Sequence, residues 1–128
     1  MRYLLDTGLL IQHLRGQKST VQLLRGLGKT NRLCISTVTR LEVKAGAHAH
    51  EQAITQRTLS RFVNLDVDAA VADKAGEVIA RGRQANKPVL VPDAIIAATA
   101  LVHNITLVTF NAADFEDVAN LSLHPLSS

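Results

Sequence analysis

The fold of this 128-residue chain is decided by one stretch, residues 92–109, which reads PDAIIAATALVHNITLVT. Residues 94–102 are apolar all the way round a helix, which predicts a buried helix. His103-Asn104 fits its last turn, since Asn tolerates the left-handed conformation that ends helices. Residues 106–109 then read as a short strand. A buried helix that runs directly into a strand indicates an α/β fold.

Outward from this stretch, short apolar strands alternate with helical patterns. Strands are expected at residues 3–5, 33–35, 63–67 and 106–109, with a last edge strand at 121–123. Helices are expected at residues 9–14, 20–27, 36–49, 51–60, 68–79 and 94–102, with a short helical turn at 114–119. The alternation predicts a mostly parallel sheet covered on both faces by helices.

Composition narrows the class of protein. The length predicts a single domain over residues 1–128, large enough to fold without disulfides or a structural metal. The one cysteine, Cys34, excludes an intrachain disulfide framework and fits a reducing compartment. The apolar run from residue 94 is broken at His103-Asn104, too early for a membrane span. Asp6 interrupts the first apolar run, which argues against a signal peptide, so we expect a cytoplasmic protein.

The acidic residues are unevenly distributed. The formal net charge is +3, but there is no acid between Asp6 and Glu42, and no charged residue between Asp93 and Asp114. Asp6 ends the first strand, and Asp114 follows the 106–109 strand by a short loop. Glu42 lies about two turns into the helix after the second strand, and Asp93 starts the buried helix. Ligands of such sheets bind beyond the carboxyl ends of the strands, so these four carboxylates can converge at one edge.

Four gathered carboxylates call for a cation, because like charges a few ångströms apart resist ionising together. Oxygen-only ligands suit Mg²⁺ or Mn²⁺ rather than zinc. Such an ion lowers the pKa of bound water and neutralises charge on a phosphoryl oxygen. Basic residues around an acidic pocket favour a polyanionic substrate. The pattern is typical of a metal-dependent nuclease.

Each acid also has a simpler interpretation. Asp6 caps a helix that begins at the next residue, and Asp93 sits where a helix dipole favours an acid. Glu42 is a solvated helix residue, or the partner of Thr39 in a capping box, although Ser36 or Thr37 is the better cap. Asp114 caps the last short helix.

Four segments carry a resemblance to a known family: LLDT at 4–7, ISTVTRLE at 35–42, PDAIIAATA at 92–100 and LVTFNAADF at 107–115. They resemble the PIN-domain ribonucleases and, within them, the VapC-type toxins of toxin–antitoxin pairs. The resemblance covers the whole chain. It implies a PIN-like three-layer α/β/α sandwich with a mostly parallel central sheet of four to five strands.

The resemblance also implies roles for the acids. Asp6, Glu42, Asp93 and Asp114 would form the catalytic cluster of an endoribonuclease that depends on Mg²⁺ or Mn²⁺. Asp6 and Asp93 would bind the metal directly, and Asp114 directly or through water. Glu42 would hold or orient the metal's water, and hydrolysis would leave a 5′-phosphate and a 3′-hydroxyl.

Polar neighbours complete the implied site, since Thr7, Thr109 and Asn111 would fix the carboxylates by hydrogen bonds. There are two departures from the family. Ser or Asn is usual where Gly8 stands, and Arg is common where Phe110 stands. The implied partners are an RNA substrate, a small antitoxin whose C-terminal segment covers the acidic groove, and a second copy of the chain.

Three competing interpretations remain. Asp6-Thr7-Gly8 also resembles the active-site triplet of dimeric aspartic proteases, but those are all-β proteins and residues 68–102 are helical in pattern. A catalytically silent PIN-like protein-binding module would be expected to have lost some of the carboxylates. The pair His48 and His50 could suggest zinc, but residues two apart do not share a helix face.

Overall fold

Four strands form the centre of the structure, a computed structural model that describes residues 1–126. They are β1 (Arg2–Leu5), β2 (Arg32–Ser36), β3 (Val63–Leu65) and β4 (Thr106–Val108). Their order in the sheet is β3-β2-β1-β4, and each neighbouring pair is parallel. The predicted α/β class with a parallel sheet is confirmed. The predicted domain, 1–128, includes two residues outside the described part.

Six α-helices and two short 3₁₀ turns surround these strands. The helices are α1 (Thr7–Leu14), α2 (Lys18–Gly28), α3 (Thr37–Gly46), α4 (Gln52–Leu59), α5 (Ala69–Gln84) and α6 (Val91–His103). The 3₁₀ turns span Ala49–Glu51 and Ala112–Asp114. Asn104, with φ 53°, ends α6 in the left-handed conformation as predicted. Within residues 1–126, no helix is both long enough and apolar enough to cross a membrane.

The two faces of the sheet bury different residues, because successive side chains of a strand point to opposite sides. Leu4, Cys34 and Leu107 pack on one face with side chains of α6. On the opposite face, the next residue of each strand packs with apolar side chains of α1, α2, α3 and α4. These strand residues are Leu5, Ile35 and Val108. Helix α5 packs on the outer side of α6 through a third apolar cluster. The sheet therefore lies between two helical layers.

Several predicted boundaries are wrong by a few residues: α1, α2 and α6 begin two or three residues earlier than expected, and α5 continues to Gln84. Two other differences have a visible cause. Ser36 caps α3 through the Val38 N–H, but the helix ends at Gly46 rather than 49, because the backbone of Ala47 is extended. Strand β3 ends at Leu65 rather than 67. The Val67 N–H donates to the Thr37 hydroxyl at 3.1 Å and so leaves the strand ladder.

The C-terminal predictions also need correction. The helical turn expected at 114–119 is a 3₁₀ turn over Ala112–Asp114, so Asp114 ends a turn instead of capping a helix. Phe115 follows and is buried in the core, which stops the turn from continuing outward. The strand expected at 121–123 is a single bridge between Leu107 and Leu123. Asn120, with φ 67°, redirects the chain just before it.

Candidate active site

The site lies where the order of the strands reverses. From β1 the chain proceeds to β2 and β3 on one side, whereas β4 lies on the other side of β1. Open α/β sheets bind ligands outside the carboxyl ends of the strands at this kind of reversal. The register pairs Leu5 with Val108, so Asp6 and Thr109 leave the sheet side by side.

Asp6 is the most buried acid of the site, with 6% of its surface exposed. Its Oδ1 accepts the Thr7 backbone N–H at 2.8 Å, and its Oδ2 accepts the Thr109 hydroxyl at 2.7 Å. Burial raises the pKa of Asp6. The hydrogen bonds from Thr109 and Thr7 oppose that rise, and the negative charges of Glu42 and Asp114 add to it. A carboxylate has about four acceptor positions, so each oxygen keeps one for a further ligand.

The hydroxyls of Thr39 and Thr7 form a chain of hydrogen bonds that ends on Glu42. The Thr7 hydroxyl donates to Glu42 Oε1 at 2.8 Å and lies 2.9 Å from the Thr39 hydroxyl. Because the single hydroxyl proton of Thr7 is used on Glu42, the Thr39 hydroxyl must donate to Thr7. Glu42 is half-buried and Thr39 is fully buried.

Thr39 was not predicted as a residue of the site, because its sequence context suggested only a capping box. The signal was present in the sequence. Thr39 precedes Glu42 by three residues, and residues at that spacing share one face of a helix. A buried hydroxyl on the face that carries Glu42 is placed to contact whatever holds this acid.

Asp93 is the third residue of α6 and is half-buried. Among the described residues, no hydrogen bond reaches its carboxylate. Burial raises the pKa of Asp93 to about 6, and the negative charges of Asp6, Asp114 and Glu42 contribute to this increase. The structure thus brings all four predicted acids, Asp6, Glu42, Asp93 and Asp114, within electrostatic range. We call them the acidic cluster.

The segment after β4 supplies the remaining groups. Asp114 is exposed at the end of its 3₁₀ turn. The Asn111 backbone N–H donates to the Thr109 hydroxyl at 3.0 Å and so braces the donor to Asp6. The Asn111 side chain bonds to no carboxylate within the described residues. A Cβ added at Gly8 would lie 3.9 Å from Asn111 Nδ2, so a serine fits there without a clash.

The donor set of the acidic cluster fits a hard divalent cation. Its oxygens are carboxylates, the ligands that Mg²⁺ and Mn²⁺ prefer. In the described part of the chain, no Lys or Arg forms a salt bridge with any of the four acids. Burial is the main cause of the raised pKa values of Asp6 and Asp93, and repulsion from the neighbouring acids adds to it. Within residues 1–126, no three Asp, Glu, His or Cys side chains already stand close enough to hold one ion together.

The histidine pair belongs to the 3₁₀ turn that follows α3, where His48 lines one pocket together with Glu42. Glu51 accepts the His48 backbone N–H at 2.8 Å and so closes the 3₁₀ turn. The rings of His48 and His50 stack with their centres 5.9 Å apart. The geometry is that of a turn at the protein surface and not of a zinc site.

Comparison with known proteins gives the family. The model of the PIN domain family matches residues 3–121. The chain belongs to the PIN-domain family. It is similar over 94% of its length to the tRNA(fMet)-specific endonuclease VapC of Shigella flexneri, with 30% identity and 95% of that protein covered. Ribonuclease VapC10 of Mycobacterium tuberculosis is 32% identical, with 88% of this chain and 84% of that protein covered.

Solved structures agree with the assignment of this chain to the PIN-domain family. A VapBC2 crystal structure from Rickettsia felis, bound to a DNA fragment from its promoter, contains a chain that superposes with a TM-score of 0.87. Sequence identity to it is 28%, and the alignment covers 97% of this chain and 98% of that one. The predicted resemblance to VapC-type PIN domains is confirmed.

Proposed function

We propose that this VapC-type PIN protein is a divalent-metal-dependent endoribonuclease and the toxin of a VapBC-type pair. The observation that carries the proposal is the acidic cluster at the strand reversal, with its unneutralised charge and its oxygen-only donors. Residues 1–128 would act as a single nuclease domain. Relatives that bear the names ribonuclease and endonuclease support the same activity.

In this proposal Asp6 and Asp93 hold Mg²⁺ or Mn²⁺ directly, and Asp114 does so directly or through water. A bound ion lowers the pKa of a water molecule and neutralises charge on a phosphoryl oxygen. Thr7 and Thr109 keep the Asp6 oxygens in place, since each donates to a different one. Asn111 supports this arrangement through Thr109.

Glu42 is assigned to the attacking water. Its Oε1 is held by the Thr7 hydroxyl, which leaves Oε2 to accept a proton of the water and aim its oxygen at phosphorus. The new bond joins the water oxygen to phosphorus, the bond from phosphorus to the 3′ oxygen breaks, and the departing 3′ oxygen takes up a proton from solvent. The products carry a 5′-phosphate and a 3′-hydroxyl.

The charge of the chain supports an RNA substrate. The chain has 14 Lys and Arg and 11 Asp and Glu. With four acids in the cluster, seven remain outside it, so the rest of the protein carries a net charge of +7. A basic surface around an acidic centre attracts a phosphate backbone and guides it to the metal.

The partners follow from the family. Solved relatives are VapBC complexes, which supports a small antitoxin as the partner of this chain. We further propose that the chain forms a homodimer. Light scattering at micromolar concentration tests this, since a monomer would contradict it.

Cleavage of RNA by the purified protein tests the activity. We expect the wild type to cut RNA with Mg²⁺ and to lose activity in EDTA. Asp6→Asn should remove most of the activity, whereas Asp73→Asn, the same change at an exposed position on α5, should not. End mapping should show 5′-phosphates. Cleavage by Asp6→Asn at the wild-type rate, or full activity in EDTA, would contradict the proposal.

A further inference from the structure

A cleft of about 440 Å³ adjoins the acidic cluster. It lies between the C-terminal half of α5, the loop at 85–90 and the turn at 113–120. Asp93 and Asp114 line one end of it, so the cleft opens directly onto the acidic cluster. We call it the side cleft. Its volume is within the range of about 300–1,000 Å³ that is usual for pockets holding small organic groups.

One wall of the side cleft is apolar. Val78, Val89, Leu101 and Val118 line it, and all four belong to the hydrophobic packing between α5 and α6. A flat organic ring gains by leaving water for such a wall, since apolar burial is favourable without directional contacts. The wall is continuous with the protein core and is therefore fixed in position.

The loop at 85–90, which contributes Val89 to this wall, is braced against α5. A Cβ at Gly82 would lie 2.6 Å from the Lys87 carbonyl oxygen, so the loop packs against α5 as only glycine allows. The Lys87 N–H donates to the Gly82 carbonyl at 2.7 Å. The Lys87 ammonium pairs with Asp117 at 3.1 Å, which links the loop at 85–90 to the turn at 113–120. The cleft is thus formed before any ligand arrives.

Among the described residues, one of the cations that line the side cleft has no acidic partner. Three cations line the side cleft, and two have partners: Lys74 pairs with Glu77 at 3.1 Å, and Lys87 with Asp117. Arg81 forms no salt bridge with any acid among residues 1–126. Its guanidinium offers five N–H donors in the geometry that matches phosphate. Arg81 is exposed, so its guanidinium is accessible to an anion that enters the side cleft.

We propose that the side cleft binds the nucleotide next to the scissile phosphate, with its base against the apolar wall and a backbone phosphate on Arg81. This inference rests on the proposed nuclease function, because the cleft opens onto the acidic cluster. A free phosphate-binding arginine beside an apolar wall favours a nucleotide over an apolar protein segment. The side cleft would then contribute to the choice of cleavage sequence.

Paired arginine variants test the phosphate contact. Arg81→Gln removes the cation that lines the cleft. Arg83→Gln removes an exposed cation of the same helix that does not line it. We expect Arg81→Gln to lower kcat/KM on an oligoribonucleotide about tenfold, mainly through KM, and to weaken the salt dependence of binding. Arg83→Gln should change kcat/KM less than twofold.

A base-deletion scan tests the apolar wall. An oligoribonucleotide carrying one abasic residue, placed in turn at each position around the cut, is compared with the intact one. We expect the wild type to lose about tenfold in kcat/KM for one position directly beside the cleaved bond. A flat scan, or equal effects of Arg81→Gln and Arg83→Gln, would overturn the inference while leaving RNA cleavage intact.

Binding of a fluorescent oligoribonucleotide in EDTA, which stops metal-dependent cleavage, separates this inference from the proposed function. Wild type that binds through Arg81 but never cuts RNA would contradict the nuclease proposal and keep the nucleotide site. Cleavage and binding that are both indifferent to Arg81 would overturn the nucleotide site and assign the cleft to a protein partner. Thermal unfolding confirms that both variants are folded.

Discussion

Asp6 and Asp93 lie in one cluster but are held in different ways. Asp6 is almost fully buried and accepts two hydrogen bonds, one on each oxygen. Asp93 is half-buried, receives no hydrogen bond within residues 1–126, and has its pKa raised to about 6. The protein fixes the geometry of the first carboxylate by hydrogen bonds, whereas an added cation would stabilise the charge of the second.

The difference originates in the elements that carry the two acids. Asp6 follows β1 and caps α1, where the Thr7 N–H is free, and the neighbouring end of β4 supplies Thr109. Asp93 lies in the first turn of α6, whose N-cap, Leu90, has no polar side chain. The helix dipole favours its charge. Pro92, however, has no N–H to donate, and within residues 1–126 no other N–H donates to the Asp93 carboxylate.

Replacement of each acid by its amide should have the largest effect and should separate the two roles. We expect Asp6→Asn and Asp93→Asn each to lower RNA cleavage at least about 100-fold, since each removes a ligand of the metal. Without metal, Asp93→Asn should raise Tm by about 3 °C, because it removes unneutralised charge at no cost in hydrogen bonds.

Asp6→Asn should be less stable than Asp93→Asn without metal. The amide nitrogen cannot accept a hydrogen bond, so the donor on one side of residue 6 loses its partner, at a cost of about 1–3 kcal/mol. Differential scanning fluorimetry in EDTA measures both variants, with Asp73→Asn as the control. Equal Tm values for the two site variants would show that Asp6 is no better held than Asp93.

Thr109→Val should have the next largest effect, because it weakens the hold on Asp6 without touching the acid. The substitution removes the donor to Asp6 Oδ2 and the acceptor of the Asn111 N–H. Loss of a residue that orients a metal ligand typically costs 10–100-fold in metal affinity or activity. Titration with Mn²⁺ measures this loss, and Thr109→Ser should restore most of the affinity.

If Thr109→Val bound the ion as tightly as the wild type, the hydrogen bond from Thr109 to Asp6 would have no role in the metal site. The contrast between a fixed and an unfixed carboxylate would then have no functional meaning. The stability of the variant must be followed as well, since the buried hydroxyl makes two hydrogen bonds.

Sequence patterns predicted the parts of this site that depend on strand ends and helix periods. The positions of Asp6 and Asp93 followed from the strand at 3–5 and the buried helix at 94–102. Thr39 was not predicted as a site residue, because its role depends on how α3 packs against α1. The reach of Arg81 into the side cleft was also hidden, since a loop packed on Gly82 creates that cleft.

The predicted ends of the elements failed for a related reason. Strand β3 stops at Leu65 because the Val67 N–H donates its hydrogen bond to the Thr37 side chain of α3. The last predicted strand is reduced to one bridge because Asn120 turns the chain. Such contacts join residues far apart in sequence, so local propensity does not show them.

The pH dependence of stability should report the charge on Asp93. The folded pKa of Asp93 is about 6, above the 3.8 of the unfolded chain, so the folded protein binds the proton more tightly. Its contribution to the free energy of unfolding is present below pH 4 and is lost as the pH rises through 6. Between pH 4.5 and pH 7, the Tm of the metal-free wild type should therefore fall relative to the Tm of Asp93→Asn.

Metal binding should show the opposite trend, because the ion competes with the proton on Asp93. Between pH 5 and pH 6, Mg²⁺ affinity should rise by up to about tenfold. Calorimetric titration of Mg²⁺ at a series of pH values measures it. An affinity that does not change through this range would mean that metal binding releases no proton from Asp93.

Thr39→Val should have the smallest effect, because it acts two contacts away from the water. The Thr39 hydroxyl donates to Thr7, which in turn donates to Glu42. Loss of one such hydrogen bond is worth about 0.5–1.5 kcal/mol, so kcat should fall roughly two- to tenfold with KM unchanged. Valine keeps the volume of threonine, and Thr39→Ser should restore kcat by returning the hydroxyl. A rise in KM instead would show that Thr39 supports RNA binding, and the acid it positions would then be a substrate contact rather than a guide for water.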